Sequence, residues 1–245
     1  CALSSVSDSQ LASAQKTFFA HALKQGIVSV HEMAGPQISS HADARKLRDL
    51  ASRPHTPHLA IYWGELWSEH SAKIVAELNA IGLGGDLFVD GAIGSRTALL
   101  HEPYTDLDTT HGAGYLTPEQ VANHLSACTN AGIQGGFHVI GDQACEIAMQ
   151  GAQLAAQRTT ESAFKQLRHR LEHAEMLSMP NIEAMRALGM TASMQPLFDA
   201  LWGNVGGMYQ ARLGERAHSM NRWGSLQTQG AAVCWATITF VEGSS

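Results

Sequence analysis

Short apolar, often β-branched runs alternate along this chain with longer stretches in which apolar residues recur every three or four positions. The first pattern predicts buried strands and the second amphipathic helices. Seven strands are predicted: IVSVHEM (27–33), HLAIYW (58–63), DLFVDG (86–91), GGFHVIG (135–141), RHRLEHAEM (168–176), MTASMQP (190–196) and AAVCWATITF (231–240). Helices are predicted over 8–24, 40–53, 68–82, 117–132, 142–157 and 179–189, and in part over 218–230. The end signals are specific. Thr117 is an N-cap with Pro118 at the first helical position and Gln120 completing a capping box. Gly82 is expected to stop the third helix, and Pro196 to end the sixth strand.

Strands that alternate with helices imply parallel βαβ units and an α/β fold. No GxGxxG opens a helix, which argues against a dinucleotide-binding sheet. Because the pattern begins with a helix, the expected architecture is an incomplete (β/α)8 TIM-like barrel that lacks its first strand. The chain reads as one domain over 1–245, with no internal repeat and no linker.

Composition narrows the class. Hydrophobic residues make up 44% and charged residues 16% of 245 positions, as in a globular chain. The net charge is −6 and no basic block exists, so nucleic acid and anionic membrane are not expected partners. No 18-residue apolar run suggests a membrane span. Four scattered cysteines without a CxxC pair fit idle thiols in a reducing, cytoplasmic setting. The opening residues carry no signal-peptide pattern, and the first is Cys1, so the chain is expected to start partway into a longer protein.

Thirteen histidines against 16 Lys and Arg direct attention to metal binding. In an α/β barrel the chemistry collects at the carboxyl ends of the strands. His31, Glu32, Asp90, His138, Asp142, Glu172, His173 and Gln195 fall near such ends. His138 and His173, on successive strands, would lie side by side as imidazole ligands. Each also has a plain reading as a hydrogen-bonded core histidine. His31 reads as a strand-end hydrogen-bonder, and Glu172 as the ion-pair partner of Arg168 or Arg170. Asp86 and Asp90, four apart in a strand, would share a face. They could form an acid–base carboxylate pair, or Asp90 could simply make a turn. Arg96 could bind a substrate carboxylate or anchor its loop.

The segments FVDGAIGSRTALLHEPYTD, FHVIGDQA, RHRLEHAEM and ASMQP, in that order, resemble the YtcJ-like branch of the metal-dependent amidohydrolase superfamily, which includes enzymes similar to N-substituted formamide deformylase. The resemblance implies a distorted (β/α)8 barrel, a flanking β-sandwich, and a mono- or binuclear metal centre. Its ligands would be a His-x-His on the first strand, a Lys (often carboxylated) on the fourth, His on the fifth and sixth, and Asp on the eighth. On this chain it assigns His138 and His173 as metal ligands, with Asp86 standing where the Lys is usual. It places Asp90 and Arg96 in the catalytic machinery and Tyr104 and Gln195 against substrate.

Three departures stand out. No His-x-His is present, the last strand carries no Asp (Glu242 is its only acid), and the β-sandwich segments are missing. The implied function is hydrolysis of an amide or other C–N bond of a small molecule, using zinc or else iron or manganese. The alternative is a truncated or degenerate, inactive homologue that binds small molecules or serves as an oligomeric subunit. A barrel without its first strand exposes two sheet edges, so self-association is expected.

Overall fold

Seven strands hydrogen-bond in chain order into one parallel sheet, with helices between them; a computed structural model describes this arrangement for residues 6–236. The strands are β1 (Ser29–Ala34), β2 (His58–Trp63), β3 (Gly82–Leu83), β4 (Gln134–Val139), β5 (Arg170–His173), β6 (Thr191–Met194) and β7 (Ala232–Trp235). The main helices are α1 (Asp8–Lys24), α2 (His41–Ala51), α3 (Glu69–Leu78), α4 (Pro118–Ala131), α5 (Asp142–Arg158), α6 (Glu161–Leu167) and α7 (Met179–Ala187). Short helices α8 (Pro196–Trp202), α9 (Met208–Leu213) and α10 (Trp223–Gln229) lie between β6 and β7. This is an incomplete (β/α) barrel. Among the described residues β1 and β7 each pair on one side only, and no β-sandwich is present.

Local chemistry starts the helices. Ser7, Ser40 and Thr117 each cap a helix, and Gln10, Asp43 and Gln120 answer from the third position. Each capping box satisfies two backbone N–H groups that the helix itself cannot. The outward faces of β4, β5 and β6 then bury Phe137, Val139, Leu171 and Ala192 against Leu125, Ala148, Met149 and Ile182 of the surrounding helices.

Two predicted elements differ from the structure. The helix expected over 68–82 ends at Leu78, because Asn79 takes the left-handed conformation, φ 51°. That frees Gly82–Leu83 to be the strand, and residues 86–91 form only isolated bridges, Phe88 with His138 and Asp90 with Gly114. Close backbone approach decides this. A Cβ on Gly82 would lie 2.5 Å from the Gln134 carbonyl oxygen, and one on Gly84 would lie 2.8 Å from Gly136. The second difference is β5, which stops at His173. Both His173 and Ala174 have positive φ, 67° and 48°, so the strand predicted to 176 bends sharply at its carboxyl end.

The inner face of the sheet is polar. Arg170 reaches across it with all five guanidinium N–H groups. They bond both oxygens of Glu172, Ser193 Oγ (2.9 Å), Tyr62 Oη (3.1 Å) and His31 Nδ1 (3.2 Å). Four strands are tied together there. The readings of His31 as a hydrogen-bonder and of Glu172 as an ion-pair partner hold, with Arg170 as the cation in both.

Candidate metal centre

Four buried or half-buried histidines lie near the sheet, and burial drives each imidazole pKa down to about 4. They divide by what their ring nitrogens meet. His124 Nδ1 accepts from Trp67 N–H at 3.0 Å, and its Nε2 donates to Leu83 O at 3.2 Å. His169 Nδ1 accepts from Gly135 N–H at 2.8 Å, and its Nε2 lies 2.9 Å from Thr129 Oγ1. Both rings are satisfied on each side and serve as struts of the core.

His138 and His173 are satisfied on one side only. His138 Nε2 donates to Gly91 O at 2.9 Å, which leaves Nδ1 as a lone pair; that atom is buried and has no partner. His173 Nδ1 lies 2.7 Å from Gln195 Oε1, and its Nε2 has no hydrogen bond among the described residues. The two rings meet edge to face at 4.6 Å. Asp86 completes the group. One ligand atom from each of Asp86, His138 and His173 lies within 4.8 Å of the others. Two neutral imidazoles with free lone pairs and one carboxylate form a donor set for a divalent ion, and three protein ligands with open positions suit a catalytic site. An orphaned buried nitrogen costs about 1–3 kcal/mol if nothing binds it, so the residues present fit a metal.

Strand parity explains His138 but not His173. His138 and Gly136 face inward along β4, whereas on β5 it is Arg170 and Glu172 that face inward. The left-handed backbone at His173 redirects its side chain over the strand end. Burial and the nearby Glu172 push the Asp86 carboxyl up to about 6. Burial and Asp86 also raise Glu32. A cavity of about 510 Å³ opens beside Asp86, walled by Ile38, Phe88 and Tyr115 and by the backbones of Gly35, Gly64 and Gly91.

The remaining predicted residues do not join this cluster. Asp90 does not pair with Asp86. Its two oxygens accept backbone N–H groups of Leu99 (2.9 Å), Ile140 (3.0 Å) and Gly141 (2.8 Å), which clips the loop over 91–116 to the end of β4. Arg96 forms a two-pronged ion pair with Asp106, at 3.1 and 2.8 Å, and so anchors its loop. Tyr104 is buried in a second apolar cluster, and its hydroxyl donates to Ala98 O at 2.9 Å. Gln195 is buried, with Oε1 on His173 and Nε2 donating to Ser193 O at 3.2 Å. Glu242 lies outside the described residues. Sequence reasoning missed Phe198, which stacks on His173 at 5.8 Å and 17°; its only signal was a position four residues beyond the end of β6.

Cys128, Cys145 and Cys234 are free thiols. No helix of the described residues is long and apolar enough to cross a membrane.

Residues 2–237 match the model of the Amidohydrolase family. Over 115 residues the chain is 32% identical to LONG AFTER FAR-RED 3 of Arabidopsis thaliana, covering 46% of this chain and 19% of that protein. Over the same length it is 33% identical to YtcJ of Bacillus subtilis (strain 168), covering 46% and 20%. A solved metal-dependent hydrolase from Pyrococcus furiosus superposes with a TM-score of 0.68 at 26% identity, over 95% of this chain and 46% of that one. Another from Pyrococcus horikoshii OT3 shares the fold, with a TM-score of 0.71 at 21% identity over 97% and 47%. The chain therefore spans about half the length of these solved relatives.

Proposed function

The chain belongs to the amidohydrolase family, in its YtcJ-like branch, and from that premise we propose that it hydrolyses an amide or related C–N bond of a small molecule. A divalent metal would be held by Asp86, His138 and His173. The observation that carries this reading is the buried, unpartnered Nδ1 of His138, on a side chain that clusters with Asp86 and His173. When bound, zinc (or else iron or manganese) would polarise the carbonyl and make water a better nucleophile near neutral pH.

The chain's own residues supply the rest. The Gly91 carbonyl and Gln195 orient the two imidazoles. The apolar wall of Ile38, Phe88 and Tyr115 receives the substrate and limits bulk water. Asp86 belongs to the ligand cluster and to the cavity wall at once. It is placed to take a proton from the attacking water and return it to the nitrogen as the C–N bond breaks. Asp90 and Arg96 then support the reaction through the loop they fix, and Tyr104 through its packing.

The first experiment is metal content of the purified protein by elemental analysis. About one ion per chain is expected, lost in His138→Ala and strongly reduced in Asp86→Asn. Metal-bearing protein should then release amine from small amides, and the His138→Ala protein should not. No metal in the wild type would overturn this reading. It would favour a catalytically inactive barrel that binds small molecules or acts as a subunit, to which the open edges of β1 and β7 lend support.

A further inference from the structure

The left-handed backbone at His173 removes the usual means by which a strand aims its side chains. Something else must set the ring. The corner after β6 supplies two contacts. Gln195 touches the ring edge at Nδ1, and Phe198, one turn into α8, stacks on its face. We propose that Gln195 is a positioning residue, holding His173 in the Nδ1–H tautomer so that Nε2 is presented as a lone pair to the centre. This rests on the proposed metal centre for its purpose, but the proton arrangement follows from hydrogen bonding alone.

The amide of Gln195 has one self-consistent orientation. Its Nε2 lies 3.2 Å from the Ser193 carbonyl oxygen and must donate there. Its Oε1 therefore faces His173 Nδ1 at 2.7 Å, and an oxygen at that distance accepts. Turning the amide over would set oxygen against oxygen at Ser193 and leave two donors facing each other at His173, or force the proton onto Nε2. With the amide as it stands, moving the ring proton to Nε2 would set the Nδ1 lone pair against Oε1 inside a buried pocket, where nothing else relieves the repulsion. The Ser193 carbonyl thus fixes Gln195, Gln195 fixes the tautomer of His173, and the tautomer decides which nitrogen can bind an ion. Both polar atoms of Gln195 are engaged within the protein, and the residue is buried, so it acts through His173.

The test has two independent arms. The first uses metal-free wild-type protein with ¹⁵N-labelled histidine. Long-range ¹H–¹⁵N correlation should show His173 as the Nδ1–H tautomer, with the signal identified by its loss in His173→Gln. Finding the Nε2–H tautomer would overturn the proposal with no variant required. The second arm is zinc affinity by competition with a chromophoric chelator. Gln195→Leu should weaken binding about 10–100-fold and let the tautomer drift toward Nε2–H. Gln195→Glu keeps an acceptor for Nδ1 but sets a second oxygen against the Ser193 carbonyl, so it should recover only part of the affinity while holding the Nδ1–H tautomer. Phe198→Leu should leave the tautomer as it is. Gln195→Leu with unchanged tautomer and affinity would also overturn the proposal. If the wild type binds no zinc, the metal-centre reading fails by itself, and the tautomer arm still decides the role of Gln195.

Discussion

A histidine inside an apolar strand is ambiguous until the partner of its second nitrogen is known. His124 and His169 find backbone and hydroxyl partners on both sides, whereas His138 and His173 keep one nitrogen each. The sequence located the last two because both sit at strand ends. It located Asp86 because an acid stands where the resembling family has a lysine. It did not reveal that Gln195 serves His173, since that contact joins residues 22 positions apart, from the end of β5 to the end of β6 across α7. Nor could it tell that Arg96 and Tyr104 turn to Asp106 and Ala98, because loop conformation decides both. Burial of His169 makes a clear prediction. Its pKa lies near 4 in the folded chain and near 6.5 when unfolded, so the unfolded state takes up the proton first as pH falls. The stability His169 supports is complete above about pH 6.5 and declines from there toward pH 4. Asp90 and Glu175, both pushed up to about 7 by burial, act with the opposite sign, so the wild-type profile alone is uninformative. The stability gap between wild type and His169→Gln should narrow by on the order of 1 kcal/mol from pH 7.5 to 5.5 in urea titrations. A constant gap would mean that His169 is charged or exposed in the fold.

At the scale of elements, Arg170 decides more than any strand propensity. It sits on β5 but bonds residues of β1, β2 and β6, with its guanidinium carbon 4.9 Å from the centre of the Tyr62 ring. The alternation RHRLEH announced a strand with charged flanks and did not show that the charges face inward. DLFVDG misled in the reverse way. Its alternation is strand-like, yet pairing goes to Gly82–Leu83, where glycines admit a neighbouring backbone. Hydrophobic periodicity reports which face is buried and is silent about how near two backbones can come. Replacing Arg170 by Met would leave Glu172 buried without its cation and should cost about 3–5 kcal/mol in chemical denaturation. Arg170→Met with Glu172→Leu should recover a large part of that loss, because a buried ion pair contributes little beyond an apolar pair of similar size. If the double variant is no more stable than Arg170→Met alone, the bonds to Tyr62, Ser193 and His31 carry the energy, and the ion pair does not.

At the scale of the molecule, the arc of seven strands leaves two edges without a partner among the described residues. In β1 the ring of His31, an inward-facing residue, is exposed through the gap, and in β7 Trp235 is 47% exposed. Unpaired parallel edges flanking a polar channel present rows of free N–H and C=O groups, which are open to pairing with another chain. The lumen adds to this. A closed barrel fills its interior with bulky aliphatic side chains, but here Arg170 and its partners Glu172 and Tyr62 occupy the inner face. This chain alone should therefore self-associate, with a weight-average mass by sedimentation that rises above its 26.3 kDa with concentration. Trp235→Lys places a charge on the exposed end of β7 and should shift the distribution toward monomer while leaving the metal content unchanged, since Trp235 lies outside the ligand cluster. A concentration-independent monomer would mean that the edges are protected within the chain itself, and Trp235 would then be expected to lose fluorescence quenching by soluble iodide relative to a denatured reference.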